Sequence, residues 1–184
     1  TEEKLERAFT ELLGQEGFPH HLGITIARKP DEVLIEEDLL HFLSAQYAGH
    51  GITVTEIKTI ILQLKSISAS DLYESNKTYL RMLSDGFILK REDRSQKDIY
   101  IQLINYSGLN KHRQPEAEQL ISITAEPEEQ YPPDTNIYKF VNQLEIVGTE
   151  KRIPDGIVYI NGLPLVVFEF KSAIREEATI YDAF

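Results

Sequence analysis

Apolar residues along the chain recur first at helical and later at strand spacing. Leu5, Ala8, Phe9, Leu12 and Leu13 fall at i, i+3, i+4, i+7 and i+8, which predicts a helix over residues 2–16 with one buried stripe. Thr1 can cap it, and Gly14 and Gly17 weaken its end. Glu6 lies at the edge of the stripe, beside Leu13; Glu3 points further out. A second helix is predicted over 35–47, with Leu39, Leu40 and Leu43 inward and Gly49-His50-Gly51 breaking it. Thr53-Val-Thr-Glu56 is a capping box that opens a helix with Ile57, Ile60, Ile61 and Leu64 on one face. Ser70 caps a further helix carrying Leu72, Tyr79, Leu80 and Leu83, ended by Gly86. These helices read as a covering layer whose stripes core packing explains.

From residue 87 the period changes. Short strands are predicted at 87–90 and 99–106 around a charged turn, then a polar loop over 107–119, a short strand at 120–124 and an acidic, Pro-rich loop over 126–135. Residues 137–147 read as one strand, with Phe140, Leu144 and Ile146 on a shared face. The segment RIPDGIVYINGLPLVVFEFK at 152–171 reads as two strands joined by a tight turn at Asn161-Gly162. Residues 173–184 read as a helix that stops without a cap, as if inside a longer protein.

Successive side chains in a strand alternate faces, so Glu169 and Lys171 share the face of Val167, while Val166, Phe168 and Phe170 take the other. Both faces are apolar until charge appears at the end. The pattern therefore predicts a central strand covered on both sides. A carboxylate and an ammonium there are costly unless they are paired or bind an ion. Asp155 opens the preceding strand. With a strict two-residue turn it pairs with Phe168 and lies on the opposite face from Glu169. An odd-length loop, or one bulge near Gly162 or Pro164, brings the two carboxylates to one face, and such an irregularity is predicted.

The letters alone are weak. Asp/Glu-x-Lys occurs three times, at Glu2-Lys4, Glu56-Lys58 and Glu169-Lys171, and Pro-Asp three times, at Pro30, Pro133 and Pro154. Only the last of each lies in a strand and shares a hairpin. The plainer reading is an ion pair of Lys171 with Glu169 or Asp155 that closes the sheet. His20-His21 reads as surface loop, since adjacent residues project differently, and His41, His50 and His112 are isolated.

Composition narrows the classes. The 184 residues, 41% hydrophobic, suit a single folded domain over 1–184. The absence of cysteine excludes a disulfide scaffold, a thiolate metal site and a Cys nucleophile. No signal peptide or membrane span is recognisable. The net charge of −11 argues against gripping nucleic acid through a broad basic face, although a nuclease site is itself made of carboxylates.

The block from Arg152 to Lys171 resembles the R-x-P-D-hydrophobic-N-G-L-P-hydrophobic-E-x-K block of the N-terminal endonuclease domain of HsdR, the restriction subunit of type I restriction-modification enzymes. Asn136-Ile-Tyr-Lys-Phe-Val-Asn-Gln143 resembles that family's preceding strand, and Thr1-Glu-Glu-Lys-Leu-Glu6 its opening helix. The resemblance is loosest over 107–135. It implies the α/β (α+β) PD-(D/E)xK nuclease fold, a mixed central sheet flanked by helices. It implies that Asp155 and Glu169 ligate a metal, that Lys171 assists the attacking water, and that Glu6 completes the acidic site. The family's Gln-x-x-x-Tyr motif after the Glu-x-Lys has no match before Phe184, nor is the ATP-driven motor of the full subunit present.

An oxygen-only ligand set favours Mg²⁺, with Mn²⁺ as substitute, and the carbonyl of Phe170 can add a ligand. The expected reaction is phosphodiester hydrolysis in double-stranded DNA in the cytoplasm of a bacterium or archaeon. Modification and specificity subunits would supply recognition, and ATP would be used elsewhere in the longer protein. Two rivals stand beside this: a non-catalytic docking domain that keeps the nuclease fold, and a repair or recombination nuclease of the same fold.

Overall fold

The computed structural model describes residues 2–67, 70–107 and 135–171. In chain order the elements are α1 (Glu2–Gln15), β1 (His20–Leu22), α2 (Glu36–Gln46), α3 (Val54–Lys65), α4 (Leu72–Ser84), β2 (Phe87–Leu89), β3 (Ile99–Ile101), β4 (Tyr138–Asn142), β5 (Ile146–Val147), β6 (Lys151–Arg152), β7 (Gly156–Ile160) and β8 (Leu163–Phe168). The architecture is α+β. Among the described residues, no helix is long and apolar enough to cross a membrane. The predicted strand at 120–124, the loop of 126–134 and the helix at 173–184 lie outside the described residues. The chain divides into two compact units, 1–44 with 137–184, and 45–136.

The first unit holds a four-stranded mixed sheet in the order β1-β4-β7-β8. β1 runs parallel to β4, and the other two pairings are antiparallel. Val141, Ile157 and Tyr159 share one face, where they pack with Ile35 and Leu144. Tyr159 is wholly buried and donates its hydroxyl to the carbonyl of Val33 at 2.9 Å, which ties the segment before α2 to this face. Phe140, Val158 and Phe168 share the other face, and α1 lays Phe9 there, with ring centroids 5.8 Å from Phe140 and 4.6 Å from Phe168. Gly156 is required beneath those rings, since a Cβ at that position would overlap the ring of Phe140.

Several expectations are corrected. His20 and His21 belong to β1 and not to a loop; the backbone pairing with Phe140 and Val141 that makes this strand is non-local. The predicted strand over 137–147 is broken. Gln143 turns it with φ of 51°, and β5 then pairs with β6 in a separate two-stranded ribbon. At this break Gly23 packs so closely on the backbone of Gln143 and Leu144 that a Cβ there would collide with both. Among the described residues β8 is the last strand in the sheet order, with Val166 and Val167 exposed, whereas β7 has Ile157, Val158 and Tyr159 buried. The doubly covered strand is therefore β7, which carries Asp155 just before its start. The stripe of α1 is only half covered: none of its residues is fully buried, and Leu5 and Leu12 are exposed.

In the second unit α3 begins with the predicted capping box, Thr53 and Glu56 bonding each other's backbone N–H groups. α4 is capped by Asp71 rather than Ser70, because the Asp71 carboxylate accepts the N–H of Glu74 at 3.1 Å. Leu72 and Leu80 are exposed, while Met82 and Leu83 are buried. β2 pairs antiparallel with β3, which is shorter than predicted.

Candidate functional site

The β7–β8 hairpin turns at Asn161 and Gly162, whose φ angles of 53° and 75° are those an Asn-Gly turn favours. Asn161 is wholly buried and clamps Ile137: its Oδ1 accepts the Ile137 N–H at 2.7 Å, and its own N–H donates to the Ile137 carbonyl at 2.7 Å. Gly162 accepts the Ile35 N–H at 2.9 Å, and a Cβ on it would overlap the Ile35 carbonyl. The turn is thus a strict two-residue turn held from both sides.

The predicted irregularity lies just beyond it. Ile160 pairs with Leu163 and Tyr159 with Pro164, but Val158 pairs with Val166, so Leu165 is an extra residue. This bulge carries the register to Gly156 opposite Phe168. One step further, Asp155 comes opposite Glu169, on the face of Ile157 and Val167. The tertiary contacts agree: the Phe170 N–H donates to Asp155 Oδ2 at 2.5 Å.

Asp155 is half-buried, and Glu169 and Lys171 are exposed as whole residues. The carboxyl of Glu169 nevertheless lies partly out of water. That desolvation, and then the negative charge of Asp155, hold its pKa above the usual carboxylate value, while Lys171 pulls the other way. The structure therefore brings Asp155, Glu169 and Lys171 into one electrostatic group.

Glu6 approaches from the other face of the sheet. Its Oε1 accepts a hydrogen bond from Asn142 Nδ2 at 2.9 Å, and Asn142 Oδ1 lies 2.8 Å from His20 Nε2. Phe9, one turn along α1, lies 5.3 Å from Phe170, whose N–H holds Asp155. Glu6 thus reaches the same strand ends, but among the described residues no three His, Cys, Asp or Glu side chains form a group that could hold a metal ion. Asn142 and His20 carry no signal in the pattern beyond a polar residue ending an apolar strand. Only the β1–β4 pairing joins them.

A family model described as the type I restriction enzyme R protein N terminus matches residues 1–184. The type I restriction enzyme HindI endonuclease subunit of Haemophilus influenzae is 29% identical over 131 residues, covering 70% of this chain and 10% of that protein. A putative type I restriction enzyme MjaIXP endonuclease subunit of Methanocaldococcus jannaschii is 29% identical over 124 residues, covering 65% of this chain and 10% of that one. The chain thus spans about a tenth of the length of these relatives. No solved structure matches. The chain belongs to the family of type I restriction enzyme R protein N termini.

Proposed function

We propose that this member of the family carries a metal-dependent nuclease centre of the PD-(D/E)xK type, which hydrolyses phosphodiester bonds of double-stranded DNA within a longer restriction subunit. The observation that carries the reading is the bulge at Leu165, which turns Asp155 to the face of Glu169 across two strand ends. A bulge at the edge of a sheet re-aims side chains, and here it assembles two carboxylates that the plain turn would hold apart.

The donor chemistry fits a divalent cation. Two like charges sit together, and one of them has its ionised form disfavoured, partly by the other. Mg²⁺, or Mn²⁺ in its place, is commonly held by one or two carboxylates together with waters and substrate phosphate. Asp155 and Glu169 would be its ligands, with the Phe170 carbonyl beside them. Bound there, the ion would polarise the scissile phosphate and acidify a water. The Phe170 N–H fixes Asp155 Oδ2. Lys171 would orient the attacking water and offset charge developing on the phosphate oxygens. Glu6 would contribute its carboxylate from the α1 side.

The net charge of −11 makes unaided retention of DNA weak. Modification and specificity subunits, and an ATP-driven motor elsewhere in the longer protein, would hold and deliver the DNA in the cytoplasm. Calorimetric titration with Mn²⁺ tests the centre: wild-type binding should be lost in Asp155→Ala, and equal binding by the two removes the assignment. In the complete restriction complex, Lys171→Ala should lose cleavage and keep ATP hydrolysis. Retained cleavage would remove Lys171 from the mechanism.

A further inference from the structure

We infer that Asn142 is a positioning residue for Glu6, and that His20 fixes the orientation in which Asn142 does this; the inference rests on the metal-centre reading above. Asn142 closes β4 and is 8% exposed. Its side chain bonds to those of two other elements, Glu6 on α1 and His20 on β1.

The chemistry dictates the direction of the chain. A carboxylate only accepts, so the amide must present its NH₂ to Glu6. Its oxygen then faces His20, which must carry a proton on Nε2. The reverse orientation would set the amide oxygen against the Glu6 carboxylate. As the Nε2-protonated tautomer, His20 donates to the amide oxygen and disfavours the reverse orientation, in which its N–H would face the NH₂.

The location gives the contact its purpose. Continuing the β4–β7 register beyond Val141 opposite Ile157 puts Asn142 opposite Gly156, the neighbour of Asp155. α1 buries no residue fully, so few contacts set its position. Phe9 rests on Phe168 and Phe170, and Asn142 grips Glu6 one turn away. These two tethers fix α1 at the strand ends that carry Asp155 and Glu169. Glu6 Oε1 is held by Asn142 at 2.9 Å. Partners that orient metal-binding carboxylates are commonly worth ten- to a hundredfold in affinity.

The test is a double-mutant cycle on the Mn²⁺ dissociation constant, measured by calorimetry on the folded chain. Asn142→Ala and Glu6→Gln should each weaken binding about tenfold or more. The double variant should be no weaker than Glu6→Gln, because Asn142 acts only through Glu6. Asn142→Leu, similar in size and without donors, replaces the alanine variant if that one does not fold. His20→Gln, whose amide can still donate to Asn142, should keep the wild-type constant, whereas His20→Ala should not.

A metal-free readout accompanies these titrations. Nitrogen NMR of the His20 ring should show the Nε2-protonated form, and Asn142→Ala should remove that preference. An unchanged constant in both Asn142 variants, or additive losses in the double variant, overturns the inference. If Asp155→Ala abolishes binding while Asn142→Ala does nothing, the inference fails and the metal centre stands. If Asp155→Ala has no effect, or the wild type binds no Mn²⁺, the metal-centre reading fails and takes the inference with it.

Discussion

Glu56 and Glu169 head the same Glu-x-Lys letters, yet the two carboxylates meet opposite surroundings. Glu56, in the second unit, is 2% exposed. Its Oε1 accepts from Arg91 Nε at 2.7 Å and from the Glu92 N–H at 3.1 Å, and its Oε2 from the Thr53 N–H at 2.9 Å. Arg91 also donates from Nη1 to the carbonyl of His50 and from Nη2 to that of Gly51. Burial alone would push the Glu56 pKa up, but the Arg91 guanidinium and the two backbone N–H groups outweigh it and hold the carboxyl at about 2. Glu169, in the first unit, has another carboxylate for a neighbour, and its pKa moves up. The difference separates a charge that the fold satisfies from one that it leaves open. The first carboxylate is fully satisfied by the fold; the second lies beside a like charge and open to solvent, where the proposed cation would complete it.

The sharpest way to break this comparison is to neutralise each carboxylate in turn. Glu169→Gln should weaken Mn²⁺ binding by about a hundredfold or more by calorimetry, within the range seen when metal-site interactions are removed. Glu56→Gln should leave binding unchanged below its melting temperature. A loss of binding in both variants would mean that Glu56 also serves the ion.

Stability should reverse the ranking. Glu56→Ala strands the Arg91 guanidinium in a buried site and should cost about 3–5 kcal/mol in urea denaturation. Glu169→Gln should cost nothing, and should stabilise the metal-free chain by less than about 1 kcal/mol by removing a like-charge contact. Between these lies Gly162→Ala, with an expected cost of about 1–3 kcal/mol. It forces a side chain into positive φ and against the Ile35 carbonyl.

The smallest effect is in the pH dependence, and the two residues should bend it in opposite senses. The depressed Glu56 pKa contributes stability that is fully present above its ordinary value of 4.5 and lost as pH falls towards about 2. The raised Glu169 pKa favours folding in acid and loses that contribution as pH rises through its folded value. Urea midpoints of wild type, Glu56→Gln and Glu169→Gln from pH 2 to 7 separate the two slopes. Parallel curves for all three would remove both linkages.

The sequence alone determined the elements whose physics is local. The capping box of Thr53 and Glu56 announces α3 because both bonds close within one turn. The stripe around Leu39 announces α2, since the helical repeat depends on neighbouring residues alone. Asn161-Gly162 announces the turn, because those two residues tolerate positive φ. The candidate residues Asp155, Glu169 and Lys171 were legible for the same reason: charge at the end of an apolar strand breaks a local pattern.

What remained hidden depends on partners distant in the chain. His20 becomes a strand residue only by pairing with Phe140, 120 positions away, and the break at Gln143 packs against Gly23, equally distant in the chain. Arg91 becomes a structural cation only when it meets Glu56, 35 residues earlier. The bulge at Leu165 could be demanded from the sequence and bracketed near Gly162 or Pro164, but not assigned to one residue, since inserting one residue flips every later side chain and only the packed faces of β7 choose the register. Tertiary structure thus decided which carboxylates share a face, because strand register is a sum over contacts that no local window contains.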